Sequence, residues 1–117
     1  MGYENKIENP IIEDKLLQVE KDISCEEIIL KCEEALKKSK FLRIKKQKTL
    51  NIIEAQYKSF MKYAIIKIKI QDVFGLKRIY INVMSEYRMY IGIKNLNISE
   101  FVLNKFLHSL DLKYLEI

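Results

Sequence analysis

The sequence predicts an α+β fold: a curved antiparallel sheet of about five to six strands with two helices packed on one face, in the order β-α-β-β-β-β-β-α. Three observations support it. Apolar and polar residues alternate through most of residues 41–95, apolar stripes at helical spacing flank that region, and short connections separate the alternating segments. Both helical stripes are buried only if the helices share the apolar face of the sheet.

The N-terminal region contains the first strand and the first helix. Residues 1–14 include the only proline and show no clear period, which predicts a flexible arm before a single domain over 15–117. Residues 15–23 alternate as in a short strand. Ser24 and Glu27 then form a capping-box pattern, which predicts a helix over about 25–39. Its apolar face comprises Cys25, Ile28, Ile29, Cys32, Ala35 and Leu36.

The central strands are predicted from their period of two. Residues 41–49, 51–60, 64–71, 76–83 and 86–95 each alternate, and a turn falls near residues 72–75. The predicted inward positions are Leu42, Ile44, Ile53, Ala55, Tyr57, Ile66, Ile68, Ile70, Ile79, Ile81, Val83, Met89, Ile91 and Ile93. The predicted outward positions are Arg43, Lys45, Lys67, Lys69, Arg78, Tyr80, Asn82, Arg88 and Tyr90.

A second helix is predicted over about 98–110, with Asn97 or Ser99 as its cap. Its stripe comprises Ile98, Val102, Phe106 and Leu110. The last residues, 112–117, fit a helix extension, an edge strand or a loosely packed segment.

The composition excludes several classes of protein. The chain has 49% hydrophobic and 32% charged residues, no apolar run that could span a bilayer and no signal pattern at its start, so we expect a cytoplasmic globular domain without a membrane partner. Cys25 and Cys32 are seven residues apart in one predicted helix, about 10.5 Å between α-carbons, which is too far for a disulfide. Buried free thiols are the expectation.

The residues needed for catalysis are few. His108 is the only histidine and has no evident partner, the acidic residues near Cys25 oppose its activation, and the three glycines are too scattered for a phosphate loop. The spacing of cysteine and histidine does not match a zinc site. We therefore expect a protein that is not an enzyme, with no catalytic residues, metal or cofactor.

Charge is distributed unevenly along the chain. Residues 1–34 contain ten acidic and four basic residues, a net charge of −6, whereas residues 35–117 contain six acidic and seventeen basic residues, a net charge of +11. Eighteen of the 21 basic residues are lysine, a bias typical of a low-GC bacterial or phage genome. The segment 37–48 is densely basic and lacks acidic residues.

These patterns predict a basic and aromatic binding face. It comprises Lys37, Lys38, Lys40, Arg43, Lys45, Lys46, Lys48, Lys67, Lys69, Arg78, Tyr80, Arg88 and Tyr90. The favoured function is a small protein-binding domain of adaptor or inhibitor type, such as a phage or mobile-element inhibitor of a host complex, with self-association in an oligomer as a variant of it. The alternative is sequence-tolerant binding of single-stranded nucleic acid through the sheet face. A solvated face without a ligand also explains the pattern.

Overall fold

The computed structural model describes residues 10–19, 22–59, 62–86 and 97–117. In these residues the chain forms one six-stranded antiparallel sheet and two helices, so the predicted α+β fold class is confirmed. The strands are β1 (Pro10–Val19), β2 (Leu42–Gln47), β3 (Ile52–Ser59), β4 (Lys62–Val73), β5 (Leu76–Glu86) and β6 (Tyr114–Glu116). The helices are α1 (Cys25–Lys38) and α2 (Ile98–Ser109), and a single 3₁₀ turn (Lys48–Leu50) joins β2 to β3.

The sheet has the spatial order β2-β3-β4-β5-β1-β6. Neighbours in the series β2 to β5 are consecutive in the sequence, whereas β1, the first strand, pairs with β5. Its other neighbour is β6, so the last residues form an edge strand.

The core lies between the sheet and the two helices. On the central strands most inward residues are isoleucines and a valine, all fully or almost fully buried: Ile66, Ile68, Ile70, Ile79, Ile81 and Val83. The β-branched side chains suit this position because they pack well on a pleated surface. The alternation predicted for β3, β4 and β5 is therefore present.

Helix α1 begins where the capping pattern predicts. The Ser24 hydroxyl accepts a hydrogen bond from the Glu27 amide at 3.2 Å, and Glu26 and Glu27 lie in the first turn, where negative charge is favoured by the helix dipole. Its buried residues are Ile28, Ile29, Cys32, Ala35 and Leu36. Cys25 is only half-buried.

Helix α2 is capped by Asn97, whose side chain accepts from the Glu100 amide at 2.9 Å. Ser99, the other predicted cap, is instead the second residue of the helix and is fully buried. Its hydroxyl donates to the Ile11 carbonyl and lies 2.6 Å from the Ser85 hydroxyl, so it links α2 to β1 and β5.

The start of the first strand differs from the prediction. Strand β1 begins at Pro10, so residues 10–14 of the predicted flexible arm pair with β5, from Pro10 opposite Glu86 onward. The long β5 requires backbone partners along its length, and this tertiary pairing overrides the weak local pattern. The predicted strand over 86–95 lies outside the described residues except for Glu86, the last residue of β5.

Candidate interaction surfaces

The structure divides the predicted basic segment 37–48 between the two sides of the molecule. Lys37 and Lys38 end helix α1, and Lys40 follows in a turn with φ of 64°. Lys46 lies on the helix side of the sheet because its cross-strand partner Ile53 is buried. Lys48 lines a hollow with Lys46 on that same side. These five lysines therefore do not join the sheet face.

Glu33 of α1 partly neutralises this helix-side group. Its carboxylate lies 3.0 Å from Lys46 Nζ and 3.6 Å from Lys37 Nζ. The hydrogen bond from Lys46, assisted by the charges of both lysines, lowers the pKa of Glu33 despite its partial burial. Two of the predicted binding lysines thus have an intramolecular structural role.

Strand β2 contains a β-bulge that the regular alternation did not predict. The register shifts between Leu42 and Lys45, and Arg43 has a φ of 51°. Leu42, predicted to point inward, is therefore opposite Gln56 and is 51% exposed, while Ile44 still packs against the core. The prediction that Leu42 points inward is therefore wrong, because the inserted residue places Leu42 on the opposite side of the sheet.

We call the side of the sheet opposite the helices the open face. Lys45, Lys67, Lys69, Arg78 and Tyr80 lie on it, as do Asn82 and the bulge residue Arg43. Arg88 and Tyr90, the remaining predicted members, lie outside the described residues. A shallow cleft of about 230 Å³ opens between β2 and β5, and Arg43, Lys45 and Lys67 line it together with Glu54.

The open face is not uniformly basic. Glu54 lies 3.9 Å from Lys67, and the Asn82 amide donates to Asp14 at 2.6 Å. Arg78 is half-buried, and its Nε has no hydrogen-bond acceptor within the described residues. Acidic groups beside the cations reduce the attraction of this face for a polyanion.

The tip of the β4–β5 hairpin is a second surface, which the sequence analysis did not single out. Phe74 and Gly75 form a two-residue turn with φ values of 53° and 86°, as in a type I′ turn. The Asp72 carboxylate accepts from the Gly75 amide at 2.9 Å and pairs with Lys77 at 3.3 Å. Phe74 is fully exposed, and Val73 and Leu76 beside it are 36% and 47% exposed.

The hairpin projects from the sheet. Toward the turn, the last residue pair between β3 and β4 is Ile52 with Lys69, and the last pair between β1 and β5 is Gln18 with Arg78. Beyond them the described pairing of β4 and β5 is only with each other. Because three residues at about 3.3 Å each separate Arg78 from the turn residue Gly75, the turn extends roughly 10 Å past the end of the β1–β5 pairing. An apolar group in this position is sterically free to enter a cavity on another molecule.

Reactive side chains are dispersed among the described residues. Cys32 is buried in the core, and burial raises the pKa of its thiol to about 12. His108 lies exposed on α2 beside a surface hollow lined also by Lys38 and Phe101. Within the described parts of the chain no group of three or more histidine, cysteine or acidic residues could hold a metal ion.

The chain matches no known family model and no curated protein sequence. Among the described residues, neither helix has the length and apolar character needed to cross a membrane. Function must therefore be argued from the surfaces themselves.

The sequence contains an unusual residue at the hairpin tip that could have identified this surface. In a two-residue turn with glycine in second place, asparagine or aspartate is the usual first residue, because both tolerate positive φ. Phenylalanine at position 74, directly before Gly75, departs from that preference. Tyr57, predicted to point inward, is buried between Phe41 and Phe101.

Proposed function

We propose that this protein is a small protein-binding domain of adaptor or inhibitor type, without catalytic activity of its own, and that Phe74 is its principal anchor. The observation that carries the proposal is the full exposure of Phe74 on backbone with φ of 53°. Neither property stabilises the domain. A large side chain in the left-handed region costs about 1–2 kcal/mol, and its exposed ring forgoes the gain from burial.

A bound partner would offset both costs. Aromatic side chains that enter a desolvated pocket contribute a large share of the binding energy in protein interfaces. Val73 and Leu76 widen the apolar contact on either side of the ring. The pairing of β4 with β5 up to Val73 and Leu76 limits the backbone conformations of the tip before binding, which reduces the entropy lost on association.

The charges near the tip indicate the character of the pocket. Between residues 69 and 78 the cations are Lys69, Lys77 and Arg78, and the only acid is Asp72, which pairs with Lys77. A pocket with an acidic rim would complement this surface and speed the encounter. The preferred partner is therefore a protein with an apolar cavity bordered by carboxylates.

Phe74→Asn tests the proposal because asparagine removes the ring and suits the turn. Tagged wild-type and variant proteins would be used to recover partners from nuclease-treated lysate, followed by an affinity measurement on the purified partner. We expect at least a tenfold loss of affinity in the variant. Leu30→Gln, at a 53% exposed position on α1, is the matched control and should retain binding. Equal affinity of wild type and Phe74→Asn would refute the assignment of the anchor.

The second candidate is single-stranded nucleic acid, and the cationic cleft on the open face favours it. Three contacts from Arg43, Lys45 and Lys67 would give a slope of about −2 in a plot of log affinity against log salt concentration. Fluorescence anisotropy with labelled oligo-deoxythymidine measures this slope. Replacement of all three residues by glutamate should abolish binding, and unchanged binding in that variant would exclude the cleft.

A further inference from the structure

The open face exposes more apolar surface than a solvated strand face requires. Ile12, Tyr80 and Leu115 on this face are 50%, 41% and 55% exposed. One line of residues crosses five strands and is apolar except at one position: Leu42, Gln56, Ile65, Met84 and Ile12. Contiguous apolar surface of this kind marks an interaction site.

We infer that two copies of this chain pack against each other through their open faces, as the two sheets of a β-sandwich do. The proposal concerns a surface separate from the Phe74 hairpin tip and does not depend on it. The partner that binds this face is a second copy of the chain. Two properties of the face support this assignment, the arrangement of its charges and its area.

The charges of the open face are self-complementary. The half formed by β2, β3 and β4 carries Arg43, Lys45, Lys58, Lys67 and Lys69 against the single acid Glu54. Among the described residues, the half formed by β5 and β1 carries Asp14 and Glu86 against Arg78, a net charge of −1. A two-fold axis parallel to the strands places the basic half of one copy over the acidic half of its partner. Opposite charges then face each other twice in the same interface.

The area of the face suits a stable dimer. Six strands about 4.8 Å apart, with an average length of roughly eight residues at about 3.3 Å per residue, cover on the order of 750 Å² per copy. Stable interfaces bury about 800 Å² per partner, and the accessible surface of the side chains exceeds the planar area used here. The apolar line and Tyr80 would form the dry centre of this interface, with the lysines around it.

Sedimentation equilibrium over two decades of protein concentration tests the proposal. We expect the wild type to approach twice the monomer mass of 14.0 kDa. The double variant Ile12→Glu/Tyr80→Glu should weaken the dimer at least tenfold, and circular dichroism would verify that it folds. Both positions are already exposed, so glutamate there does not enter the core.

Lys45→Glu supplies a second variant that leaves every apolar side chain intact. It lies at an exposed position of β2 and should also weaken the dimer, because it reverses a charge in the basic half. Phe74→Asn is the control and should dimerise as the wild type does. A wild type that is monomeric at every concentration, or a dimer that neither open-face variant weakens, would overturn the inference. A monomer whose open face instead binds oligo-deoxythymidine would also overturn it.

Discussion

Phe74 has a local structure that stability alone does not favour. It occupies the first position of a type I′ turn at φ of 53°, and its side chain is fully exposed. Phe74→Asn should leave the domain equally stable or stabilise it by up to about 1 kcal/mol, because asparagine tolerates this region. Urea unfolding measures the difference. A loss of more than about 1 kcal/mol would mean that the ring supports the fold, which removes the physical reason for treating it as an anchor.

The two cysteines differ in environment, although the sequence analysis predicted both to be buried. Cys32 is buried with its thiol pKa raised to about 12, whereas Cys25 is half-buried in the first turn of α1. At pH 8 we expect one thiol per chain to react readily with Ellman's reagent, and peptide mapping should locate it at Cys25. Cys32 should react only after unfolding. Rapid modification of Cys32 in the native protein would contradict the described core.

Glu33 makes the stability of the domain depend on pH. Its folded pKa lies below the unfolded value, so its contribution is fully present above about pH 5 and is lost as the pH falls through the folded pKa. Glu33→Gln should therefore lower stability at pH 7, by about 1 kcal/mol or less because both side chains of the Glu33–Lys46 pair stay partly in contact with solvent, and flatten the decline as the pH falls below about 5. Thermal unfolding against pH measures both effects. Parallel curves for the two proteins would contradict the ion pairs with Lys46 and Lys37.

At the scale of elements, β2 shows how one residue limits a prediction from periodicity. A period of two assigns Leu42 and Ile44 to the same side, but the bulge at Arg43 puts only Ile44 against the core. Helix α1 could be predicted almost to the residue because Ser24 and the apolar spacing are local signals. A bulge depends on the fit between two strands, so the sequence of one strand does not reveal it.

The hydroxyl groups of Ser99 in α2 and Ser85 in β5 help to hold that helix against two strands. Ser99 and Ser85 are fully buried 2.6 Å apart, and Ser99 also donates to the Ile11 carbonyl. Ser99→Ala should destabilise the domain by about 1–3 kcal/mol, because it leaves buried polar groups without a partner. Ser85→Ala should cost less, and the double variant less than the sum of the two. Urea unfolding of the three variants tests this coupling, and additive effects would contradict a shared network.

At the scale of the whole molecule, the sequence predicted the fold class but not the strand order. The hairpins from β2 to β5 join neighbours in sequence, so their pairing follows from turn positions. The pairing of β1 with β5 joins residues sixty or more positions apart and depends on which edge remains available in the folded sheet. The same limit applies to the candidate site, since the segment 37–48 looks continuous in sequence yet is divided between two sides of the sheet.

The resulting molecule has helices on one face, a mixed open face on the other and an apolar tip at one end. The proposed functions of these surfaces rest on contact with other macromolecules rather than on reactive groups. Photo-crosslinking in cells tests whether the hairpin tip contacts a protein.

A benzophenone-bearing phenylalanine would replace Phe74, with a second chain carrying the same group at the exposed α1 position Glu34 as the control. The tip position should give a discrete cross-linked protein after irradiation, which mass spectrometry can identify, and the control should not. A tip that cross-links to no protein, or yields the same products as the position on α1, would contradict the account.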